Sequence, residues 1–236
     1  MRISAGILAV AGLGIATACL GSSGAAAADL IVDDPEAIAA AAAFDWSGAY
    51  AGVFAGGGSG DVTIEPGGLA DPLDLAAGGW LAGVRAGINA EAGVLVFGAE
   101  ADIAKTWISG DGSATDGQNS LDYNYDLDWL GTVTGRVGYA ADTLLLYAKG
   151  GLAAGGVRST LTPTAPLPPE PPTSADAVAT GWTVGLGTEF AFSENATAGI
   201  EYDFVSLGSQ FDYDAAGTAD AQQDLHIVKL GVNYGF

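Results

Sequence analysis

From residue 46 onward, apolar and polar side chains alternate in short segments. The stretch 224–236 reads D-L-H-I-V-K-L-G-V-N-Y-G-F, so His226, Val228, Leu230, Val232, Tyr234 and Phe236 share one face. Lys229, Gly231, Asn233 and Gly235 share the other. A period of two is that of a β-strand whose faces meet different surroundings. Seven earlier segments repeat it, at residues 46–58, 78–90, 93–108, 127–139, 143–158, 179–192 and 196–208, with 225–236 as the eighth. Their connections alternate between long (59–77, 109–126, 159–178, 209–224) and short (91–92, 140–142, 193–195). Tight turns at one end and long loops at the other predict an all-β chain. The fold expected is an eight-stranded antiparallel transmembrane β-barrel with four long extracellular loops and short periplasmic turns.

Parity assigns the faces. Outward go Trp80, Val84 and Ile88; Leu95, Phe97 and Ile103; Leu127, Trp129, Val133, Val137 and Tyr139; Trp182, Val184, Leu186, Phe190 and Phe192; and Ile200, Tyr202 and Phe204. Inward go Arg85, Glu100, Asp102, Arg136, Lys149, Glu189, Glu201, Asp203 and Lys229. A soluble sandwich also alternates, but its apolar face is its inside, and charges do not collect on one face. The strand directions put Trp80, Trp107, Trp129 and Trp182 near the long-loop end, and Tyr139, Phe190, Phe192, Tyr234 and Phe236 near the short-turn end. Two aromatic girdles at the membrane boundaries are the reading.

Composition changes the picture at the N-terminus. Arg2, an apolar stretch over 3–20 and a run of alanines predict a signal peptide over residues 1–28. Ala16 stands where a lipidation signal carries leucine, so Cys19, the single cysteine, reads as part of the leader. Residues 29–45 read as a periplasmic N-terminal tether and 46–236 as the barrel. Elsewhere no apolar run approaches the roughly 20 residues of a spanning helix. Beyond the leader six bases, Arg85, Lys105, Arg136, Lys149, Arg158 and Lys229, face all 28 acids, which makes nucleic acid an implausible partner.

The inward charges predict an ionic network across a lumen about wide enough to be filled by side chains. The same-face pairs Glu100 with Asp102 and Glu201 with Asp203 could be taken for acid–base dyads. Their recurrence opposite basic partners favours a structural role. The lone histidine, His226, falls on the lipid face in no G-x-S-x-G or HExxH context, so no enzyme is expected. The stretch 122–128, D-Y-N-Y-D-L-D, lacks the glycine and distal glutamate of an EF-hand loop. It reads as solvated loop charge, with weak divalent-cation contacts as the alternative. Residues 162–173, T-P-T-A-P-L-P-P-E-P-P-T, read as an extended loop tip.

Several stretches together resemble the small porin-like outer-membrane proteins of Gram-negative bacteria, including the outer-membrane immunogenic proteins. They are W-S-G-A-Y-A-G-V from Trp46, F-G-A-E-A-D-I from Phe97, W-L-G-T-V-T-G-R-V-G-Y-A from Trp129, L-L-Y-A-K-G-G-L-A from Leu145, G-W-T-V-G-L-G-T-E from Gly181, I-E-Y-D-F from Ile200 and the terminal L-G-V-N-Y-G-F. The resemblance implies an outer-membrane surface barrel in contact with lipid and lipopolysaccharide, without cofactor or catalysis. Arginine is usual in that family where this chain has Thr134 and Asp203, implying a more acidic inner network. The last strand also looks like the signal read by the barrel-assembly machinery, with Leu230, Val232, Tyr234 and Phe236 at stake. Three functions stay open: a structural surface barrel, a narrow cation-preferring porin, and a binding module acting through its acidic or proline-rich loops.

Overall fold

In the computed structural model, residues 44–66, 73–115, 120–164, 173–212 and 218–236 are described. They form eight strands: β1 (Gly48–Pro66), β2 (Leu73–Ala92), β3 (Leu95–Thr115), β4 (Ser120–Ala141), β5 (Leu144–Thr164), β6 (Thr173–Ala191), β7 (Ala196–Asp212) and β8 (Thr218–Gly235). Each pairs antiparallel with the next, and β1 pairs with β8 from Tyr50↔Gly235 upward, closing the barrel. The short turns fall at 93–94, 142–143 and 192–195. Gly93 (φ 68°) and Asp142 (φ 52°) take the left-handed conformation there, which glycine adopts freely and aspartate tolerates. The expected leader, most of the tether and most of the proline-rich tip (165–172) lie outside the described residues.

The strands run 17 to 22 residues, where about 9–11 suffice to cross a bilayer. The surplus lies at the end away from the short turns, and this corrects the expected loops. Residues 59–64, 109–115, 120–126, 159–164, 173–178, 209–212 and 218–224 are ladder, with Ile64↔Leu73, Thr115↔Ser120 and Asp212↔Thr218 near the hairpin tips. These extensions keep the period of two with its polarity reversed. Val62, Leu75, Ile108, Tyr125, Val157 and Leu225 are buried inside, while Asp61, Asp122, Asp176 and Asp220 are exposed outside. Water outside the barrel selects polar outer positions as lipid selects apolar ones, and the inside of the extension becomes an ordinary apolar core.

A second correction concerns Leu127, expected outward and found buried. The ladder slips in β4 between Leu127 and Trp129, and against β3 between Lys105 and Ile108. Asp128 is the extra residue of a β-bulge, so parity flips there. Tyr125 and Leu127 point inward above it; Leu130, Thr132 and Arg136 point inward below it. The bulge sits beside Trp129 and the outward pair Lys105–Asp128 (3.2 Å).

Three interior layers follow along the axis. Nearest the short turns, Trp46, Val96, Leu145 and Ala191 pack together with Phe44 against them. A charged layer comes next, and above it the larger apolar core that includes Phe54, Leu81, Leu130, Leu207 and Ile227.

Candidate functional site

The charged layer occupies the middle of the barrel, where the outer face is apolar. All nine inward charges expected from parity are buried: Arg85, Glu100, Asp102, Arg136, Lys149, Glu189, Glu201, Asp203 and Lys229. Two ammonium groups lie at its centre. Lys149 Nζ stands 2.8 Å from Glu201, 3.2 Å from Glu100, 3.6 Å from Asp203 and 3.8 Å from Asp102. Lys229 Nζ stands 2.7 Å from Asp203, 3.2 Å from Asp102 and 3.3 Å from Glu201. Below them Arg136 donates to Glu189 at 2.8 Å and to Asn89 at 2.9 Å, and Arg85 approaches Glu201 at 3.4 Å and Glu100 at 3.6 Å. Charges so far from water persist because each meets an opposite charge at hydrogen-bond range.

Uncharged residues finish this layer; of these Asn233 was already expected on the inward face, whereas Tyr50, Tyr147 and Thr197 were not singled out. Tyr50 donates its hydroxyl proton to Glu100 (2.7 Å) and Tyr147 to Glu201 (2.8 Å), while Thr197 and Asn233 donate to Glu189 (2.9 and 3.1 Å). The Tyr50 and Tyr147 rings also flank the Arg136 guanidinium, at 4.6 and 5.1 Å, and Phe54 covers Arg85 and Lys229 from above at 4.8 and 4.9 Å. Each tyrosine lies across a glycine of the neighbouring strand, Tyr50 over Gly87 and Tyr147 over Gly187, in the space a Cβ would fill. The signal was present: Tyr147 shares parity with Lys149, Asn89 with Arg85, and Asn233 with Lys229.

Glu100, Asp102 and Glu201 bring carboxylate oxygens within 4.8 Å of one another, a grouping that could hold a metal ion. The Lys149 and Lys229 ammonium groups already stand among these oxygens and supply the positive charge a metal would bring. The void bounded by Arg85, Tyr147, Glu201 and Lys229 measures about 10 Å³, no more than about one water molecule, and a second of about 40 Å³ lies between Arg136, Glu189 and Trp46. Beneath the charged layer Trp46 donates its backbone N–H to Glu91 at 2.9 Å and its indole N–H to the Asp142 carbonyl at 3.3 Å. Among the described residues the two carboxylate pairs are buried.

The girdle residues lie on the outer face, with Trp80, Trp107, Trp129 and Trp182 exposed at one level and Tyr139, Phe190, Phe192 and Tyr234 at the other. His226 is on that face too, its Nδ1 2.6 Å from the Tyr202 hydroxyl and its ring beside Phe204. Leu230, Val232 and Tyr234 line the outward side of β8, and Phe236, just past its end, is exposed as well.

An apolar outer belt, aromatic rims and a closed antiparallel ladder define a membrane-spanning β-barrel of the outer-membrane class. The chain belongs to the outer membrane protein beta-barrel domain family, whose model matches residues 15–236. It is similar to the 31 kDa outer-membrane immunogenic protein of Brucella melitensis, 34% identical over 93% of this chain and 96% of that one. It is also similar to the 25 kDa outer-membrane immunogenic protein of Brucella abortus, 27% identical over 91% of this chain and 92% of that one. Among solved structures it is similar to Ail of Yersinia pestis, at 15% identity, with 79% of this chain and 99% of that one covered and a TM-score of 0.39. The protein is an outer-membrane protein.

Proposed function

We propose that this protein is a non-enzymatic, closed outer-membrane barrel with a structural role in the cell envelope. The observation that carries this reading is the filled interior. An apolar core, a paired charged layer and the Trp46 plug succeed one another along the axis, with voids of only about 10 Å³ within the charged layer and about 40 Å³ between it and the plug. A hydrated ion would have to break several buried charge pairs and then cross an apolar layer. The outer belt supports lipid, with lipopolysaccharide beside the extensions, as the permanent partner. Outward Leu230, Val232, Tyr234 and Phe236 support a role for β8 as the segment engaged by the barrel-assembly machinery. The carboxylates on the extensions support weak divalent-cation contacts at most.

Refolded protein in planar bilayers tests the reading. We expect a silent membrane under applied voltage. Reproducible cation-selective steps would replace the closed barrel by the narrow porin, because the charged layer holds five carboxylates (Glu100, Asp102, Glu189, Glu201, Asp203) against four bases (Arg85, Arg136, Lys149, Lys229).

A further inference from the structure

The barrel is closed at membrane level and split above it. The ladder between β6 and β7 runs from Ala191↔Thr197 to Thr180↔Gly208 and, among the described residues, stops there. Both strands continue: β6 stays paired with β5 as far as Leu161↔Thr173, and β7 with β8 as far as Asp212↔Thr218. Residues 173–179 and 209–212 are therefore facing edges of one sheet with no ladder between them. A cavity of about 830 Å³ opens in the outer wall at this seam, with Trp182 and Thr180 on one side and Ser206, Asp220, Asp224 and Asp61 on the other.

Unpaired strand edges hold backbone donors and acceptors in a row, and an extended chain adds to such an edge by completing the ladder. The side-chain chemistry around the seam restricts which chain fits. Every charged residue lining the cavity is a carboxylate, and one oxygen of Asp224 is buried without a hydrogen-bond partner. Anionic lipid headgroups are disfavoured there, and lysine or arginine is favoured. On the inner side of the same wall Ala179, Leu207 and Ala221 are buried in the apolar core. A strand laid along 173–179 thus presents alternate residues to carboxylates and to an apolar interior.

We propose that the β6–β7 seam is a binding site for an extended peptide in which basic and apolar residues alternate, taken up by strand addition to β6. A single added strand runs antiparallel to one of two antiparallel edges and parallel to the other. The longer β6 edge, with seven residues against four, is the one that sets its register.

The test uses the full-length refolded barrel in neutral detergent and a fluorescent heptapeptide with lysine and valine alternating. Binding should saturate at one peptide per barrel. The same peptide with alternate backbone amides N-methylated keeps its charge and loses its ladder, and should bind at least about tenfold more weakly. A block-ordered peptide of identical composition should be weakened similarly. The Asp61→Asn, Asp220→Asn, Asp224→Asn variant, shown to be folded by its heat-modifiable gel mobility, should lose affinity on the order of tenfold. Equal binding of the N-methylated peptide would mean bare charge attraction and would overturn the proposal, as would absence of saturable binding by the alternating peptide.

Discussion

Replacing Lys229 by methionine keeps an unbranched side chain, one atom shorter, and removes the ammonium charge together with its N–H donors. The ammonium group lies 2.7 Å from Asp203, 3.2 Å from Asp102 and 3.3 Å from Glu201, in a side chain 2% exposed. Without it, five buried carboxylates face three bases. Breaking a buried ion pair by removing one partner costs about 3–5 kcal/mol, because the remaining charge keeps its desolvation penalty and loses its compensation. Lys105→Met is the matched control. It breaks the Lys105–Asp128 pair, whose side chains are 55% and 41% exposed, and should cost less than about 1 kcal/mol. Adding Asp203→Asn to Lys229→Met returns the layer to one carboxylate in excess and should recover about 2 kcal/mol or more. Equilibrium urea unfolding in micelles, followed by tryptophan fluorescence and heat-modifiable gel mobility, reads all four proteins. If Lys229→Met lies within about 1 kcal/mol of the parent, or if the double variant is worse than the single one, the charged layer is not held by the pairing described here.

Four further outcomes are expected. Trp46→Ala empties the periplasmic plug and should lower the urea stability by about 3 kcal/mol. Gly187→Ala places a methyl group where the Tyr147 ring lies, and should destabilise by about 1–3 kcal/mol; the same substitution in a Tyr147→Ala background should be nearly neutral. Val133→Lys puts a charge on the lipid face and should cost about 2–4 kcal/mol in lipid vesicles. Phe236→Ala should slow assembly into lipid vesicles catalysed by the purified barrel-assembly machinery while leaving spontaneous refolding in micelles unchanged; equal rates with the machinery would remove Phe236 from the assembly signal.

The half of the barrel within the membrane was legible because lipid imposes one rule on every outward position. Trp80, Val84 and Ile88 alternate with Leu81, Arg85 and Asn89, and the ladder agrees with that parity throughout β2. The extensions were not legible for a related reason. A strand with water outside and an apolar core inside carries glycine, aspartate and threonine outward, which is also the composition of a loop, so Asp61, Asp122 and Asp220 concealed the alternation of Val62, Tyr125 and Ala221. The bulge was hidden because D-L-D-W over 126–129 fits either parity, and only the slip against Val157 and Gly156 reveals the extra residue. Trp46 was expected to open the first strand but precedes it, since β1 begins at Gly48. Its burial is a tertiary event, fixed by Glu91 and the turn at Asp142.

The reversal of polarity along each strand gives the charged interior a role in fixing strand register. With apolar residues on both faces, a strand slipped by one residue would lose little, and eight such strands would have no defined register. In this chain a slip of β8 by one residue carries Lys229 into lipid and Leu230 into the charged layer. In the extension, the same slip carries Leu225 into water and Asp224 into the apolar core. Both halves penalise the same error through opposite chemistries, so the penalty accumulates along the whole strand. Buried ion pairs contribute little net stability compared with well-packed apolar residues, yet each imposes a large cost on the wrong parity. A layer retained for register needs to be paired and closed to water, as this one is, and a layer retained for conduction would need the reverse.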